Sequence, residues 1–233
     1  MRLSFLLSVV FMGFCAVMAP VSAGAFDSAQ AYIEVETLPP GLLPPPPAEG
    51  SKDWQKQIDA VLRAQRNLSS ADLAAMKDEQ NVRLDQMTSI LGTDFTHEKL
   101  PKTFMLLDRV MSDTGKVIGA DKKFWHTRRP YLTDARVKLL VDPIDSNPSY
   151  PSGHTTESRV LAEILGILVP EKRAALRARA DAIALRRVEA GVHYPVDLDG
   201  GRMLAMLVVG SLTANDDFQD DLVLAKKEIA GKQ

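Results

Sequence analysis

Two stretches of this chain carry apolar residues on nearly every helical face, and they limit its fold more than any other feature. They are residues 152–169, SGHTTESRVLAEILGILV, and residues 195–214, PVDLDGGRMLAMLVVGSLTA. A helix that is apolar all round has no face to give to water and has to be buried. The segments around them show apolar residues at helical spacing on one side only. Trp54, Ile58, Val61, Leu62 and Leu68 follow the start at Ser51-Lys52-Asp53. Leu73, Met76, Val82, Leu84 and Met87 follow Ser70-Ala71-Asp72 and end before Gly92. β-branched residues are scattered, period-two alternation is rare, and no internal repeat is present. The expectation is an all-α, single-domain helical bundle, with two buried central helices inside a more amphipathic layer. At 233 residues the chain is long enough for one sizeable core.

Further boundaries come from prolines and glycines. Pro101 opens a helix through residue 119, with Phe104, Leu107, Val110 and Met111 on one side. A separate short helix is expected over ADKKFWHTRR, residues 120–129, up to Pro130. Residues 130–150 read as a loop with one short turn. Residues 170–191 start with proline and end with glycine, as helices often do. Residues 215–232 form the last helix.

The first stretch, MRLSFLLSVVFMGFCAVMAPVSAGAF, reads as a secretory signal over residues 1–23. Arg2 begins it, an apolar run follows, and small residues allow cleavage after Ala23 or Ala25. The apolar run is short for a bilayer span, and no later segment has the length for one. Cys15, the only cysteine, lies inside this segment, so the mature chain holds no disulfide and no thiolate nucleophile or metal ligand. Residues 24–50 contain LPPGLLPPPPAEG and read as an extended proline-rich arm, with Leu42 and Leu43 available to pin it to the body. Residues 51–233 form the domain. The composition is 45% hydrophobic and 25% charged with a net charge of -2, which is that of a globular protein and offers no basic footprint for nucleic acid.

Three short segments carry the chemistry. In KKFWHTRRP, Lys122 and Arg129 are seven residues apart, so a helix would put them on nearly one face. In PSGH, Ser152 suits a helix start, Gly153 lets backbone approach a ligand, and His154 stands beside the N-terminus, where anions bind. In RRVEAGVHYPVD, Gly191 ends one helix and Pro195 begins the next. Asp197 lies four residues after His193, so its carboxylate can accept from one ring nitrogen and leave the other as a nucleophile or base. Lys122, Arg129 and Arg187 supply cations, Ser152 and Gly153 neutral donors, and His154 and His193 proton transfer and attack. Phosphoryl transfer needs that inventory. A metal held by His193, Asp197 and Asp199 is a competing account, opposed by the three nearby cations. Ser152 lacks the G-x-S-x-G surroundings of a serine nucleophile.

The order Lys-x6-Arg-Pro, Pro-Ser-Gly-His, Arg-x5-His-x3-Asp resembles the signature of the type 2 phosphatidic acid phosphatase superfamily. The signal segment, LPPPP at 43–47, SYPSGHT and GVHYPVDLDGGR are similar to the bacterial class A non-specific acid phosphatases. The resemblance implies an all-α fold and metal-independent hydrolysis of small-molecule phosphomonoesters of broad kind, with no cofactor. It implies that His193 attacks phosphorus to form a phosphohistidine, with Asp197 orienting it and His154 protonating the leaving alcohol. It assigns Lys122, Arg129, Ser152, Gly153 and Arg187 to the phosphate oxygens. It further implies a homo-oligomer, a dimer or higher, exported to the periplasm or secreted. One departure is Arg186, where that family usually has serine; it is expected at the solvent face or the rim of the site. The alternatives are a vanadate-dependent haloperoxidase, for which the chain is short, and a non-catalytic phosphate-binding protein, which would not need both histidines.

Overall fold

The computed structural model describes residues 30–143 and 148–231. The expected signal segment with Cys15, and residues 24–29 of the arm, lie outside the described residues. Every regular element among the described residues is helical. The helices are α1 (Lys52–Ala64), α2 (Ser70–Asp78), α3 (Asp85–Thr88), α4 (Pro101–Trp125), α5 (Pro130–Thr133), α6 (Gly153–Leu168), α7 (Arg173–Glu189), α8 (Pro195–Thr213) and α9 (Asp216–Ala230).

The centre is α6, which packs against α7, α8 and α4. Val160, Leu161, Ile164 and Leu165 are fully enclosed, and each contributes on the order of 1.5–3 kcal/mol by leaving water. The second apolar segment, α8, lies along α6 and buries Leu204, Ala205, Val208 and Leu212. Its outer side leaves Met203 and Met206 at the surface. Two glycines let α8 come close to the start of α6. A Cβ on Gly200 would sit 2.4 Å from the Tyr150 ring, and one on Gly201 2.8 Å from the Ser152 carbonyl oxygen. No helix among the described residues is long and apolar enough to cross a membrane.

Two boundaries differ from expectation. The helix from Pro101 does not stop at residue 119 but runs unbroken to Trp125. Gly115 and Gly119 lower helix propensity without breaking the ladder, and burial of Val110, Val117 and Ile118 outweighs that cost. The helix ends where His126 takes a left-handed φ of 49°. The segment from Ser70, expected to run to residue 91, breaks after Asp78, and residues 79–84 form an irregular crossing before α3. The cause is hydrogen bonding to distant helices, described below, which local periodicity does not record.

Residues 30–50 lie along the bundle and contain one 3-10 turn, Val35–Thr37. Asp113 of α4 accepts from the backbone of Tyr32 (2.7 Å) and Ile33 (3.3 Å). Asp121 accepts from Gly41 N at 3.3 Å, and Pro44 O accepts from the Tyr150 hydroxyl at 2.7 Å. Leu43 is buried, whereas Leu42 is exposed, so one of the two leucines pins the segment.

Candidate active site

The three sequence motifs converge at the N-terminal ends of α6 and α8. Lys122 and Arg129 do not share a helix as the spacing had suggested. Lys122 is in the last turn of α4, and Arg129 caps α5 with extended backbone. They meet instead at one carbonyl: Pro148 O accepts from Lys122 Nζ at 2.5 Å and from Arg129 Nη2 at 3.4 Å. The strand of chain bearing that carbonyl is pinned to Thr127, which accepts from Ser149 N (2.9 Å) and, through its hydroxyl, from Tyr150 N (2.7 Å). Both cations are almost fully buried.

His193 sits in the turn between α7 and α8 with 1% of its surface exposed. That turn requires Gly191: its φ is +77°, and a Cβ there would lie 2.3 Å from the Lys138 carbonyl. The backbone N–H of His193 donates to Arg187 O at 3.2 Å. Its ring is fixed from both ends. Nδ1 is 3.0 Å from Asp197 Oδ2, and Nε2 is 3.2 Å from Arg129 Nη1. A carboxylate only accepts and a guanidinium only donates, so Nδ1 carries the proton and Nε2 the lone pair. Burial, then Arg129, Lys122 and Arg187, hold the imidazole well below its ordinary pKa, and it is neutral.

Asp197 is the hub of this arrangement. Its Oδ2 accepts from Tyr194 N (2.9 Å) and from the Ser149 hydroxyl (2.5 Å) as well as from His193. Burial pushes its pKa up, to about 6, while those donors and Lys122 oppose the rise. Ser149 was not singled out from sequence; its only signal was its place two residues before Pro151. The alternative metal set is not brought together, because Asp199 is exposed and pairs with Arg202.

Ser152 caps α6. Its hydroxyl oxygen accepts from Thr155 N (3.3 Å) and Thr155 Oγ1 (3.0 Å), which leaves its own proton to donate. Its backbone N–H is committed to Asp197 O at 3.0 Å. Gly153 and His154 open the helix, so their N–H groups have no acceptor within it. His154 Nε2 lies 2.9 Å from Gln80 O. Burial, then Arg187, push His154 down to about 3. Burial and Arg129 push Lys122 down to about 7.

Arg187 is wholly enclosed. One of its nitrogens, Nη1, donates to Glu79 O at 3.3 Å, while Nε and Nη2 are buried with no hydrogen-bond partner. Burial and Arg129 lower its pKa to about 10, so it stays charged at neutral pH. Two unpaired donors on a buried cation are costly and mark a place for an anion. Arg186, expected at the solvent face or rim, is instead bonded to the buried carboxylate of Glu79 at 2.6 Å.

A cavity of about 750 Å³ opens over this cluster, lined among others by Lys122, Arg129, Gly153, His154 and Glu157. Glu157 also escaped the sequence reading, although it follows Gly153 by one helical turn. Burial raises its pKa to about 7, against the pull of Lys122.

The PAP2 superfamily model matches residues 105–218. An acid phosphatase of Zymomonas mobilis is 29% identical over 197 residues, covering 80% of this chain and 74% of that protein. A non-specific acid phosphatase of Providencia stuartii is 28% identical over 202 residues, covering 81% and 79%. Among solved structures, the first bacterial vanadium-dependent iodoperoxidase shares the fold, with a TM-score of 0.56 at 18% identity. That likeness covers 73% of this chain and 53% of the other. Every residue of the cluster from Lys122 to Asp197 lies inside the span, residues 105–218, over which this chain is similar to the PAP2 superfamily.

Proposed function

We propose that the chain is a metal-independent acid phosphatase that hydrolyses phosphomonoesters of broad kind through a phosphohistidine on His193. The observation that carries this reading is a neutral, doubly fixed imidazole close to a buried arginine with two unpaired donors. A phosphate dianion placed there takes oxygens to Arg187, Arg129 and Lys122, to the Ser152 hydroxyl and to the open N–H of Gly153. The His193 Nε2 lone pair attacks phosphorus as the ester P–O bond breaks, and Asp197 balances the charge that develops on the ring. The departing alkoxide takes a proton from His154. Burial and Arg187 make His154 too weak a base to hold that proton by itself, and a dianion bound among the cations raises its pKa. Water then attacks phosphorus, the N–P bond breaks, and His154 accepts the proton released from water.

The reading includes export, with residues 1–23 as the signal, 24–50 as the arm and 51–233 as the domain, and a homo-oligomeric state. The purified protein should release phosphate from p-nitrophenyl phosphate at acidic pH with chelator present. Mixing with substrate and quenching should trap an acid-labile phosphoenzyme, absent from His193→Ala. No turnover, turnover only on adding metal, or a phosphoenzyme that survives His193→Ala would each overturn it.

A further inference from the structure

Glu79 follows the last residue of α2 and is 2% exposed. A carboxylate so enclosed is costly unless paired. Its Oε1 accepts from Arg179 Nη1 at 2.5 Å and from Arg186 Nη1 at 2.6 Å. The two arginines are seven residues apart on α7, so they reach from one face of that helix. The carbonyl of the same residue accepts from Arg187 Nη1 at 3.3 Å, and the carbonyl of the next, Gln80, is 2.9 Å from His154 Nε2. The Gln80 side chain is tied in turn to Asp142, donating to its carboxylate at 3.0 Å and accepting from its N–H at 3.3 Å.

One dipeptide therefore touches two members of the site at once. It follows a helix end and belongs to no regular element, so α2 does not set its orientation. The arginine pair on its side chain and the Asp142 tie do. Its contacts have chemical consequences. A carbonyl only accepts, so Gln80 O places the proton of neutral His154 on Nε2 and leaves Nδ1 for the leaving group. Glu79 O occupies one nitrogen of Arg187 and turns the remaining donors, Nε and Nη2, elsewhere.

We propose that Glu79 is a positioning residue for the phosphoryl transfer. Gripped by Arg179 and Arg186, it holds the 79–80 peptide against Arg187 and His154, fixing the aim of an anion ligand and the tautomer of the leaving-group acid. Arg186 is thereby part of the grip rather than a surface substitution. The inference rests on the phosphatase reading above.

The test is a leaving-group series. An alkyl phosphate such as glycerol 2-phosphate needs a proton donor for its poor leaving group, whereas p-nitrophenyl phosphate scarcely does. Glu79→Ala, and Arg186→Ser as a second variant at a more exposed position, should lower kcat on the alkyl phosphate roughly tenfold or more beyond the loss on p-nitrophenyl phosphate. Arg186→Lys should recover part of that difference. On a His154→Ala background the extra alkyl penalty of Glu79→Ala should vanish, because the residue acts through His154. Equal loss on both substrates, no loss, or a penalty that persists without His154 would overturn the inference while the wild type remains active. A wild type inactive on both substrates would overturn the phosphatase reading and this inference with it.

Discussion

His193 takes its orientation from nearby sequence. Asp197 lies four residues on, Arg187 six residues back, and Gly191 shapes the turn between them. His154 takes its orientation from Gln80, 74 residues away on an irregular crossing that distant arginines hold in place. The His193–Asp197 pair is thus built within one helix-turn-helix, with Arg129 and Ser149 closing on it from other segments, whereas the aim of His154 depends on a remote contact. A locally built dyad can be rigid before the rest of the domain is complete. A histidine held by a remote carbonyl is only as well aimed as the seam between α2 and α7.

The largest effect is expected on the His193 side. Asp197→Asn keeps the shape but presents an amide to Nδ1, favouring the wrong tautomer, and kcat on p-nitrophenyl phosphate should fall by about 10²–10⁴. Loss below tenfold in steady-state assays would show that the local dyad does not set the tautomer. On the His154 side, the proposed role as leaving-group acid predicts that His154→Ala costs about 10² or more on alkyl phosphates and much less on p-nitrophenyl phosphate. An equal loss on both would remove the distinction between the two histidines.

Anion binding gives a third, smaller contrast, through the cations the two sides share. Lys122 is held down to about 7 by burial and Arg129, so it is charged below that pH and neutral above it. Inhibition by sulfate, a dianion throughout this range, should therefore be strongest below pH 7. It should weaken as pH rises through 7, approaching about tenfold per unit. In Lys122→Arg the slope should flatten, because arginine keeps its charge; an unchanged slope would assign the dependence elsewhere. Smallest of all, Ser149→Ala removes one of the donors on Asp197 Oδ2 and should lower kcat only a few-fold, since Tyr194 N still holds that oxygen. A loss as large as that of Asp197→Asn would mean the dyad is less local than its spacing suggests.

What was legible in the sequence follows the same division. The all-round apolar segments gave α6 and α8, the Ser152 cap and the Pro195 start stand where the residue types place them, and the spacing of His193 and Asp197 became a hydrogen bond. Periodicity describes a helix and its neighbours one turn away, and these features lie within that range. Lys122 and Arg129 reach the same place by another route, because a shared carbonyl at Pro148 leaves no mark on either residue's own segment. The break after Asp78 was invisible for the same reason: Leu73, Met76, Val82 and Leu84 keep a helical pattern, while Arg179 and Arg186 decide where the chain leaves it. Ser149 and Glu79 draw their importance from partners 48 and 107 residues away.

The contact between Arg129 Nη1 and the Nε2 lone pair of His193 has a consequence for the resting protein. An arginine proton capping that lone pair shields it from stray electrophiles. Only an anion able to draw the guanidinium toward itself uncovers it. On the phosphatase reading, a substrate's own charge is the key that frees the histidine, and an uncharged ester of the same shape finds it still sheathed.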